Sequence, residues 1–407
     1  MQKSEDVVIP MNKNEIRYYV GNDKIEIKPL PVYSRLVCEF LDDLSRILRN
    51  DGEAKRFPDI MTFAFWCRKG NINRLKENYQ GPFQRVGRGL VFHVAPSNVP
   101  INFAFSLVFG MLAGNANIVR VSEKDFAQTE IVCRAIRSLF EKPEYEILAG
   151  QTQVVSYGHV KEINDMFSAM CDVRIIWGGD AAISQIRQSP MKARAAEVTF
   201  ADRYSFAMFD EEKISKLSED EQRQLAQKFY NDTYLMDQNA CSSPHLVIWK
   251  NAMPNKSGRK QFWNFLYEAA LNYDLPEKKV IDKYTYLCEN IARYTQIQSV
   301  IAYDNLLYVA QINSFPERID ELRGMFGLFY EMNYCDDGQL FEKLTEKVQT
   351  CVTYGIDKNE LLKELIEHHA AGIDRIVDAG EAMDIGVYWD GYDVIGNLSR
   401  AITVTKI

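Results

Sequence analysis

The chain has 407 residues, a net charge of -8 and an apolar fraction of 46%. This length exceeds one simple core and predicts two or three subdomains in an ordinary globular protein. The negative charge argues against a nucleic-acid surface and against a polybasic membrane patch. The five histidines form no metal-ligand spacing with cysteines, so no metal site is expected.

The N-terminal sequence and the cysteines bear on location. The first fourteen residues are charged and lack the apolar core of a signal peptide. Eight scattered cysteines without a CxxC pair predict reduced thiols, so we expect a cytoplasmic protein. One apolar run, residues 99–114, is shorter than the roughly 20 residues of a spanning helix. This run predicts a buried helix and no membrane span.

In chain order, residues 1–85 are charged and mixed, with helices predicted over 33–48 and near 57–68. From Arg88 onward, strands and helices alternate. Strands are predicted at 90–94, 117–121, 152–156 and 173–177, and helices at 101–113, 127–140, 160–170 and 181–188. Four consecutive βα units predict a mainly parallel, doubly wound sheet of the nucleotide-binding kind.

A second α/β region is predicted from about residue 201 to 372. Its strand signals are weaker, and its predicted elements are strands at 204–209 and 246–249 and helices at 219–232 and 258–271. The tail carries turn residues and predicts a β-rich end at 401–404.

Residues 237–245 place Cys241 among small polar residues, with a proline three residues behind it. A thiolate nucleophile needs access to substrate, room for a tetrahedral adduct and nearby amide donors. Cysteine is also a common core residue. The remaining cysteines have apolar or helical surroundings that predict packing roles: Cys38, Cys67, Cys133, Cys171, Cys288, Cys335 and Cys351.

Three further motifs precede Cys241 in order. They are a Pro-Ser-Asn segment at a strand end (94–100), a segment that ends in Glu123 (114–123), and a Gly-Gly turn between strand and helix (175–180). With the cysteine segment they resemble the aldehyde dehydrogenase superfamily, most closely the acyl-CoA reductases of the bacterial luminescence fatty-acid reductase type. Tail segments at 372–377, 389–392 and 398–400 are similar to the end of that family.

The resemblance implies an aldehyde-dehydrogenase-like α/β fold with a Rossmann-type parallel-sheet cofactor domain, an α/β catalytic domain and a β-rich oligomerisation tail. We expect a helical and mixed region (1–85), an NAD(P)-binding domain (86–200), a catalytic domain (201–372) and the tail (373–407). Members of the superfamily usually form dimers or tetramers, so a homo-oligomer is expected.

Carried over position by position, the resemblance makes Cys241 the nucleophile. Asn98 then supplies the amide that holds the oxyanion together with the Cys241 N–H. The alternative for Asn98 is a helix cap near Pro100. The residues that the resemblance places at the cofactor are Pro96, Ser97, Arg120, Ser122, Glu123, Gly178 and Gly179.

Two of these residues point to different cofactors. Arg120 stands where the family's lysine contacts the adenosine ribose, and a guanidinium there could also bind a 2′-phosphate, as in NADPH. Glu123 stands where a carboxylate often holds the free ribose hydroxyl of NAD. The family's use of NADPH favours NADPH, with NADH as the alternative. For Gly178 and Gly179, the resemblance implies contact with the pyrophosphate, and the alternative is an ordinary βα turn.

One position departs from the hydrolytic aldehyde dehydrogenases. Their water-activating glutamate aligns with Phe200, and neither Glu197 nor Asp202 fits that register. Without a placed base, water attack on an acyl-enzyme should be slow, whereas exchange with a thiol carrier needs only a leaving thiolate. His245 is expected to be structural, and the alternative is an assisting residue that tunes the Cys241 thiolate or contacts the carrier.

We therefore predict an NAD(P)H-dependent reductase that converts an acyl-CoA or acyl-carrier thioester into an aldehyde through acylated Cys241. An acyl-activating or acyl-transferring protein is an expected partner. Two alternatives remain: an NAD(P)-dependent dehydrogenase that oxidises an aldehyde to an acid, and a non-catalytic binding or scaffold member of the fold. The acyl group itself is left open.

Overall fold

The computed structural model describes residues 7–8, 16–79, 83–253, 257–334 and 337–404. The chain divides into two compact units. The first contains Met1–Ala201 and Tyr392–Ile407, and the second contains Asp202–Gly391.

Helices occur in both units. They are α1 (Arg35–Asn50), α2 (Pro58–Trp66), α3 (Lys69–Asn78), α4 (Asn102–Leu112), α5 (Ala127–Phe140), α6 (Glu146–Gly150), α7 (Lys161–Met170), α8 (Asp180–Ile186), α9 (Glu211–Ser215), α10 (Glu219–Thr233), α11 (Ser257–Ala270), α12 (Glu277–Arg293), α13 (Asp337–Phe341), α14 (Lys358–Glu367) and α15 (Val394–Leu398).

The strands are mostly short. They are β1 (Val7–Val8), β2 (Arg17–Val20), β3 (Lys24–Ile25), β4 (Gln84–Gly87), β5 (Leu90–Val94), β6 (Ala116–Val121), β7 (Thr152–Ser156), β8 (Val173–Trp177), β9 (Ala196–Phe200), β10 (Tyr204–Asp210), β11 (Pro244–Lys250), β12 (Ile297–Tyr303), β13 (Leu307–Ile312), β14 (Leu328–Asn333), β15 (Val348–Tyr354), β16 (Arg375–Asp378), β17 (Tyr388–Trp389), β18 (Tyr392–Asp393) and β19 (Ser399–Ile402).

The first unit is built on a six-stranded sheet of order β2-β7-β6-β5-β8-β9. All neighbours are parallel except β2, which runs antiparallel to β7. The chain moves from β5 outward through β6 and β7, and later returns to place β8 on the other side of β5. The sheet order therefore reverses beside β5, and ligands of such sheets bind at the carboxyl ends of the strands there.

Burial explains why this sheet forms. Every residue of β5, β7 and β8 is buried, as expected for strands covered on both faces. Helix α4 buries all but its first residue, which confirms the buried helix expected from the apolar run. A Cβ on Gly110 would lie 1.9 Å from Asn117 Oδ1, so glycine lets α4 approach β6 this closely.

A short pairing joins the tail to the rest of the first unit. Strand β19 from the tail runs antiparallel to β4, with Ser399 opposite Gly87. Helix α15 and β19 replace the β-rich end expected at 401–404, because the strand begins two residues earlier and a helical turn precedes it. In the part of the chain that the structure describes, no helix is long and apolar enough to cross a membrane.

The second unit is built on a seven-stranded sheet of order β12-β13-β14-β11-β10-β15-β16, parallel except for β12. Strand β10 lies between β11 and β15 and is buried on both faces. Phe206 and Met208 pack into one core cluster, and Ala207 and Phe209 pack into the other. This alternation is the period-2 pattern of a strand covered on both sides.

The α/β prediction with parallel sheets is confirmed, and several predicted bounds agree with the observed strands β5, β7 and β8 and helix α5. Of the cysteines expected to pack, four are buried: Cys67, Cys133, Cys171 and Cys351. Cys38 is partly buried, whereas Cys288 is exposed on α12, so a packing role for Cys288 is wrong. Cys335 lies outside the described residues.

Candidate functional site

A cavity of about 610 Å³ opens at the carboxyl ends of β5, β6 and β8 in the first unit. Its position is the reversal of strand order beside β5, where α/β sheets bind ligands. The amide of Ala95 donates to the Arg120 carbonyl at 3.0 Å, which joins the ends of β5 and β6 at the cavity floor.

The cavity gathers the residues that the sequence placed at a cofactor. The segments 94–100 and 114–123 and the glycine turn at 175–180 each contribute residues to the lining, and Asn98 is one of them. The predicted residues that line it are Pro96, Ser97, Asn98, Arg120, Ser122, Glu123, Gly178 and Gly179.

Arg120 is held against the turn that follows β7. Its guanidinium lies 4.8 Å from the centre of the Tyr157 ring and donates to the carbonyls of Tyr157 (3.4 Å) and Gly158 (3.5 Å). Its Nε is buried and has no hydrogen-bond partner in the described residues. Glu123 lies over the same turn, since a Cβ on Gly158 would be 3.3 Å from its carboxylate. The two residues with opposite cofactor preferences therefore share one corner of the cavity.

The glycine turn leaves room for a ligand. A Cβ added to Gly179 would meet no atom within 4 Å, and one added to Gly178 would make only ordinary contact with Ala182. Neither glycine is required for packing. Helix α8 places Asp180 in its first turn, so a phosphate here would also meet a carboxylate.

Trp177 in the cavity wall is fixed by a buried polar chain. Its indole N–H donates to Ser106 Oγ at 2.9 Å. That hydroxyl then donates to His93 Nδ1 (2.8 Å), and His93 Nε2 donates to Asn117 Oδ1 (3.1 Å). This order of donors requires a neutral imidazole, and burial lowers the pKa of His93 to about 4. The chain of hydrogen bonds sets the orientation of the indole.

Phe200 continues this aromatic wall. Its ring stacks on Trp177 with centroids 3.7 Å apart, and Tyr392 packs edge-on against it at 5.7 Å. Phe200 is buried, so the side chain expected to replace the water-activating glutamate packs into this wall.

Asn98 is exposed and does not act as a helix cap. Helix α4 begins at Asn102, and its N-cap is Ile101, which makes no side-chain cap hydrogen bond. The alternative role for Asn98 is therefore wrong.

Cys241 lies in the second unit, in the loop that leads into the amino end of β11. The loop begins with two left-handed residues, Asp237 (φ 55°) and Gln238 (φ 59°), which is a strained conformation for side chains of this kind. Both side chains are tied down. Lys279 Nζ donates to both Asp237 oxygens at 3.0 Å, and the Tyr273 hydroxyl donates to one of them.

Gln238 is the buried anchor of this loop. Its amide nitrogen donates to the carbonyls of Leu328 (3.1 Å) and Pro244 (3.5 Å), and its oxygen accepts from the Gly327 N–H (2.8 Å). Ser243 Oγ donates to the Asp232 carbonyl at 2.8 Å. The backbone on both sides of Cys241 is thus fixed by buried hydrogen bonds.

The Cys241 thiol is half-buried, and burial raises its pKa above the ordinary value. A hydrogen bond from the Arg203 backbone and the charge of Arg323 lower that pKa, whereas the carboxylates of Asp390 and Asp202 raise it. The resting group is therefore a thiol at neutral pH, in reach of one amide donor.

His245 does not act on Cys241 as a base. Its Nδ1 accepts the Gly324 N–H at 3.1 Å, its ring stacks on Tyr204, and burial lowers its pKa to about 3. The expectation of a structural histidine agrees with these contacts.

Comparison with known proteins identifies the family. The profile of the family described as Acyl-CoA reductase (LuxC) matches residues 68–272, half of the chain. The chain belongs to this family. A comparison with curated proteins found no match.

Solved structures show the same fold as this LuxC-family chain. An NAD-dependent benzaldehyde dehydrogenase from Corynebacterium glutamicum has a TM-score of 0.58 at 12% identity, over 98% of this chain and 97% of the other. Aldehyde dehydrogenase 21 from Physcomitrella patens has a TM-score of 0.62 at 12% identity, over 90% and 85%. A lactaldehyde dehydrogenase has a TM-score of 0.60 at 12% identity, over 90% and 86%.

The predicted resemblance to the LuxC family is confirmed, and the chain is an oxidoreductase. The solved structures confirm the aldehyde-dehydrogenase-like α/β fold. The family and fold imply a nicotinamide cofactor. The cavity fits one, because it stands at the strand-order reversal and leaves open space over Gly179. The described residues contain no group of three or more histidine, cysteine or acidic side chains that could hold a metal.

The sequence did not predict several of the side chains that line the cavity of this LuxC-family chain. Trp177 lies in the 175–180 motif, but the motif predicts no role for it, and no role is predicted for Lys124, His159 or Lys161. His159 follows β7, so the carboxyl-end rule applied to that third strand would have found it. The support of Cys241 by Arg203 carries no local signal, because it depends on packing between distant segments.

Proposed function

We propose that this LuxC-family chain is an NADPH-dependent acyl-CoA reductase that forms an aldehyde through an acyl thioester on Cys241. The observation that carries the proposal is that Phe200 is buried and stacked on Trp177, because the sequence register aligns this position with the water-activating glutamate of hydrolytic aldehyde dehydrogenases. An acyl-enzyme in this chain lacks that base, so reduction competes with little hydrolysis.

In the first step, the Cys241 sulfur attacks the thioester carbonyl. A bond forms between sulfur and the carbonyl carbon, and the carbon–sulfur bond to the carrier breaks. The thiol proton of Cys241 balances the proton that the departing carrier thiolate takes up. Because burial raises the pKa of Cys241, this proton must be lost during the attack, and the Arg203 amide stabilises the developing thiolate.

The oxyanion of the tetrahedral adduct is assigned to the Asn98 side-chain amide and the Cys241 backbone N–H. Asn98 is exposed and is not used as a cap for α4, so its amide is available for a substrate. Removal of one such donor typically costs about 10²–10³ in rate. Asn98→Ala should therefore lower acylation by that factor, measured as the single-turnover rate of Cys241 acylation.

The cofactor is assigned to the cavity of the first unit, with Pro96, Ser97, Ser122 and the Gly178–Gly179 turn along it. When bound, the reduced nicotinamide supplies a hydride to the acyl carbon. The Cys241 sulfur then leaves as a thiolate when the carbon–sulfur bond breaks and the aldehyde is released, and a proton from water restores the thiol. The same sulfur is thus the nucleophile in acyl transfer and the leaving group after reduction.

NADPH is favoured by the charges of the adenosine end. Arg120, Lys124 and Lys161 line the cavity against the single carboxylate of Glu123. Lys161 is also paired with Asp165 at 2.6 Å, so it is partly neutralised. The remaining excess of positive charge suits a 2′-phosphate better than a free hydroxyl.

The proposal is tested by mixing purified protein, acyl-CoA and NADPH and following the loss of reduced-cofactor absorbance. Cys241→Ala should lower kcat by at least about 10³, because no residual nucleophile remains. Cys288→Ala is the matched control, since its thiol is exposed on α12 and should leave kcat unchanged. Turnover that survives in Cys241→Ala would refute the assignment. Aldehyde oxidation to free acid without a carrier would favour a dehydrogenase instead.

The acyl group is found by incubating the chain with candidate acyl thioesters without NADPH and measuring the mass of the Cys241 peptide. An acyl-activating or acyl-transferring protein remains the proposed partner. Assembly into a homo-oligomer is proposed from the superfamily resemblance and is tested by light scattering.

A further inference from the structure

A chain of hydrogen bonds in the second unit begins at the Cys241 sulfur. A hydrogen bond from the Arg203 backbone to the Cys241 side chain lowers the pKa of the thiol. The Arg203 side chain is largely buried, and its Nη1 donates to Asp390 Oδ1 at 2.5 Å. The same carboxylate oxygen accepts from Gln349 Nε2 at 2.8 Å. A buried carboxylate therefore fixes the arginine whose amide meets the sulfur.

The chain of bonds then returns to the same cysteine. Thr350 Oγ1 donates to the Gln349 amide oxygen at 3.2 Å. The Thr350 N–H donates to Ser205 Oγ at 3.2 Å, and Ser205 Oγ donates to the Cys241 carbonyl at 2.7 Å. These contacts close a ring, called here the cysteine ring, made of Cys241, Arg203, Asp390, Gln349, Thr350 and Ser205.

The ring members come from four distant segments of the chain. Asp390 stands in a left-handed backbone conformation (φ 54°) and is only 5% exposed, so its carboxylate has one fixed direction. Arg203 also donates to the Lys347 (3.4 Å) and Val348 (3.1 Å) carbonyls, which tie it to the start of β15. Asp374 accepts from the other guanidinium nitrogen but is not part of the ring.

The ring has two opposing electrostatic effects on the sulfur. The Arg203 amide stabilises a thiolate, and the Asp390 carboxylate opposes it. The carboxylate of Asp202 also raises the pKa of the Cys241 thiol, whereas the charge of Arg323 lowers it. The Arg323 guanidinium donates to the Asp202 carboxylate at 2.9 Å. A buried Asp390 without Arg203 would be an unpaired charge, which is strongly unfavourable. The ion pair thus keeps the amide donor in place.

We propose that Arg203 and Asp390 are positioning residues for Cys241, and that their ion pair sets the reactivity of the sulfur by holding the Arg203 amide against it. This inference rests on the proposed function only for the identity of the acyl acceptor. The ring gives a role to Asp390, which lies in the tail segment 389–392.

The test measures the alkylation of Cys241 by iodoacetamide from pH 6 to 10, followed by the mass of the Cys241 peptide. Asp390→Asn keeps an acceptor oxygen for Arg203 and removes the negative charge, so the apparent pKa of Cys241 should fall. Arg203→Lys keeps the positive charge but cannot reproduce the guanidinium fork, so the amide shifts and the apparent pKa should rise.

Opposite shifts in these two variants support the ring. Equal shifts, or no shift in either variant, overturn it, because a purely structural role would lower stability and leave the pKa of the folded thiol unchanged. Asp374→Asn is the matched control: it removes a carboxylate from the same arginine outside the ring and should leave the alkylation profile unchanged.

A milder variant covers the case in which the charged pair cannot be changed without unfolding. Ser205→Ala opens the ring at the Cys241 carbonyl by the loss of one oxygen atom. It should change the alkylation rate at pH 7.5 by about threefold or more, and an unchanged rate would overturn the proposal. Alkylation needs neither acyl-CoA nor NADPH, so failure of the ring and failure of the proposed reduction give different results.

Discussion

The cofactor cavity of the first unit and the cysteine loop of the second unit are built in different ways. The cavity lies at the ends of adjacent strands of the sheet, and its lining includes exposed polar side chains such as Ser97 and Asn98. The cysteine loop sits at the amino end of β11 and is held by buried side chains such as Gln238 and Ser205. Changes in the cavity should therefore alter binding with little cost in stability, whereas changes around the cysteine should cost stability and reactivity together.

The largest expected effect is on the stability of the second unit. Gln238→Met removes three hydrogen bonds and leaves the Gly327 N–H and the Leu328 carbonyl buried without that partner. The free energy of unfolding should fall by roughly 3 kcal/mol, measured by urea denaturation. Gln227→Met on the exposed side of α10 is the control and should change it by less than about 0.5 kcal/mol. Equal costs for the two variants would show that the loop is not held by Gln238.

The cavity should behave in the opposite way. Gly179→Val places a side chain in open space at the turn, so folding should be unaffected while affinity for NADPH falls by about tenfold or more. Isothermal titration with NADPH measures the affinity, and thermal unfolding checks the fold. Gly52→Val also enters open space, away from the cavity, and should change neither quantity. A loss of stability in Gly179→Val without a loss of affinity would contradict this view of the cavity.

Acid pH should change the stability of the two units differently. In the first unit the folded pKa of His93 is about 4 against 6.5 when unfolded. Between pH 6.5 and 4 the unfolded state binds the extra proton, so stability falls as pH falls, by roughly 1 kcal/mol per unit. In the second unit His245, with a pKa of about 3, acts in the same direction. Asp232 opposes it, because burial raises its folded pKa to about 7 and protonation on acidification then favours the folded state.

Hydrogen exchange in urea, read separately for peptides of each unit, measures this difference. Asp232→Asn removes the compensating proton uptake, so the second unit of this variant should lose stability more steeply between pH 7 and 4 than the unmodified chain. The first unit should keep its slope in both proteins. An unchanged slope in the second unit would mean that Asp232 does not titrate in this range.

The sequence predicts the first unit better than the second, for a physical reason. Strands β5, β7 and β8 each contain a short run of adjacent apolar residues and have a glycine within two residues of at least one end, so the sequence indicates them even though they are buried on both faces. In the second unit, β12 is mostly exposed and its alternation is weak. Helix α3 was missed because it buries only Ile72 and is otherwise polar.

Site residues follow the same division. The cavity residues follow strand ends, and the carboxyl-end rule collects them from sequence alone. The pairing of Arg203 with Asp390 joins residues 187 positions apart in the chain, and neither has a distinctive local sequence. Only the packed sheet brings them to Cys241, so this support could not be predicted.

The smallest expected effect concerns cofactor choice at the corner shared by Arg120 and Glu123. Glu123→Gln removes the one carboxylate that faces the cations of the cavity lining, so the ratio of NADPH to NADH affinity should rise about three- to fivefold. Quenching of tryptophan fluorescence measures both affinities, since Trp177 lies in the cavity wall. Glu162→Gln, an exposed carboxylate beside Lys161 that does not line the cavity, is the matched control and should leave the ratio unchanged. A ratio that falls in Glu123→Gln would mean that the carboxylate orders Arg120 for the phosphate and does not repel it.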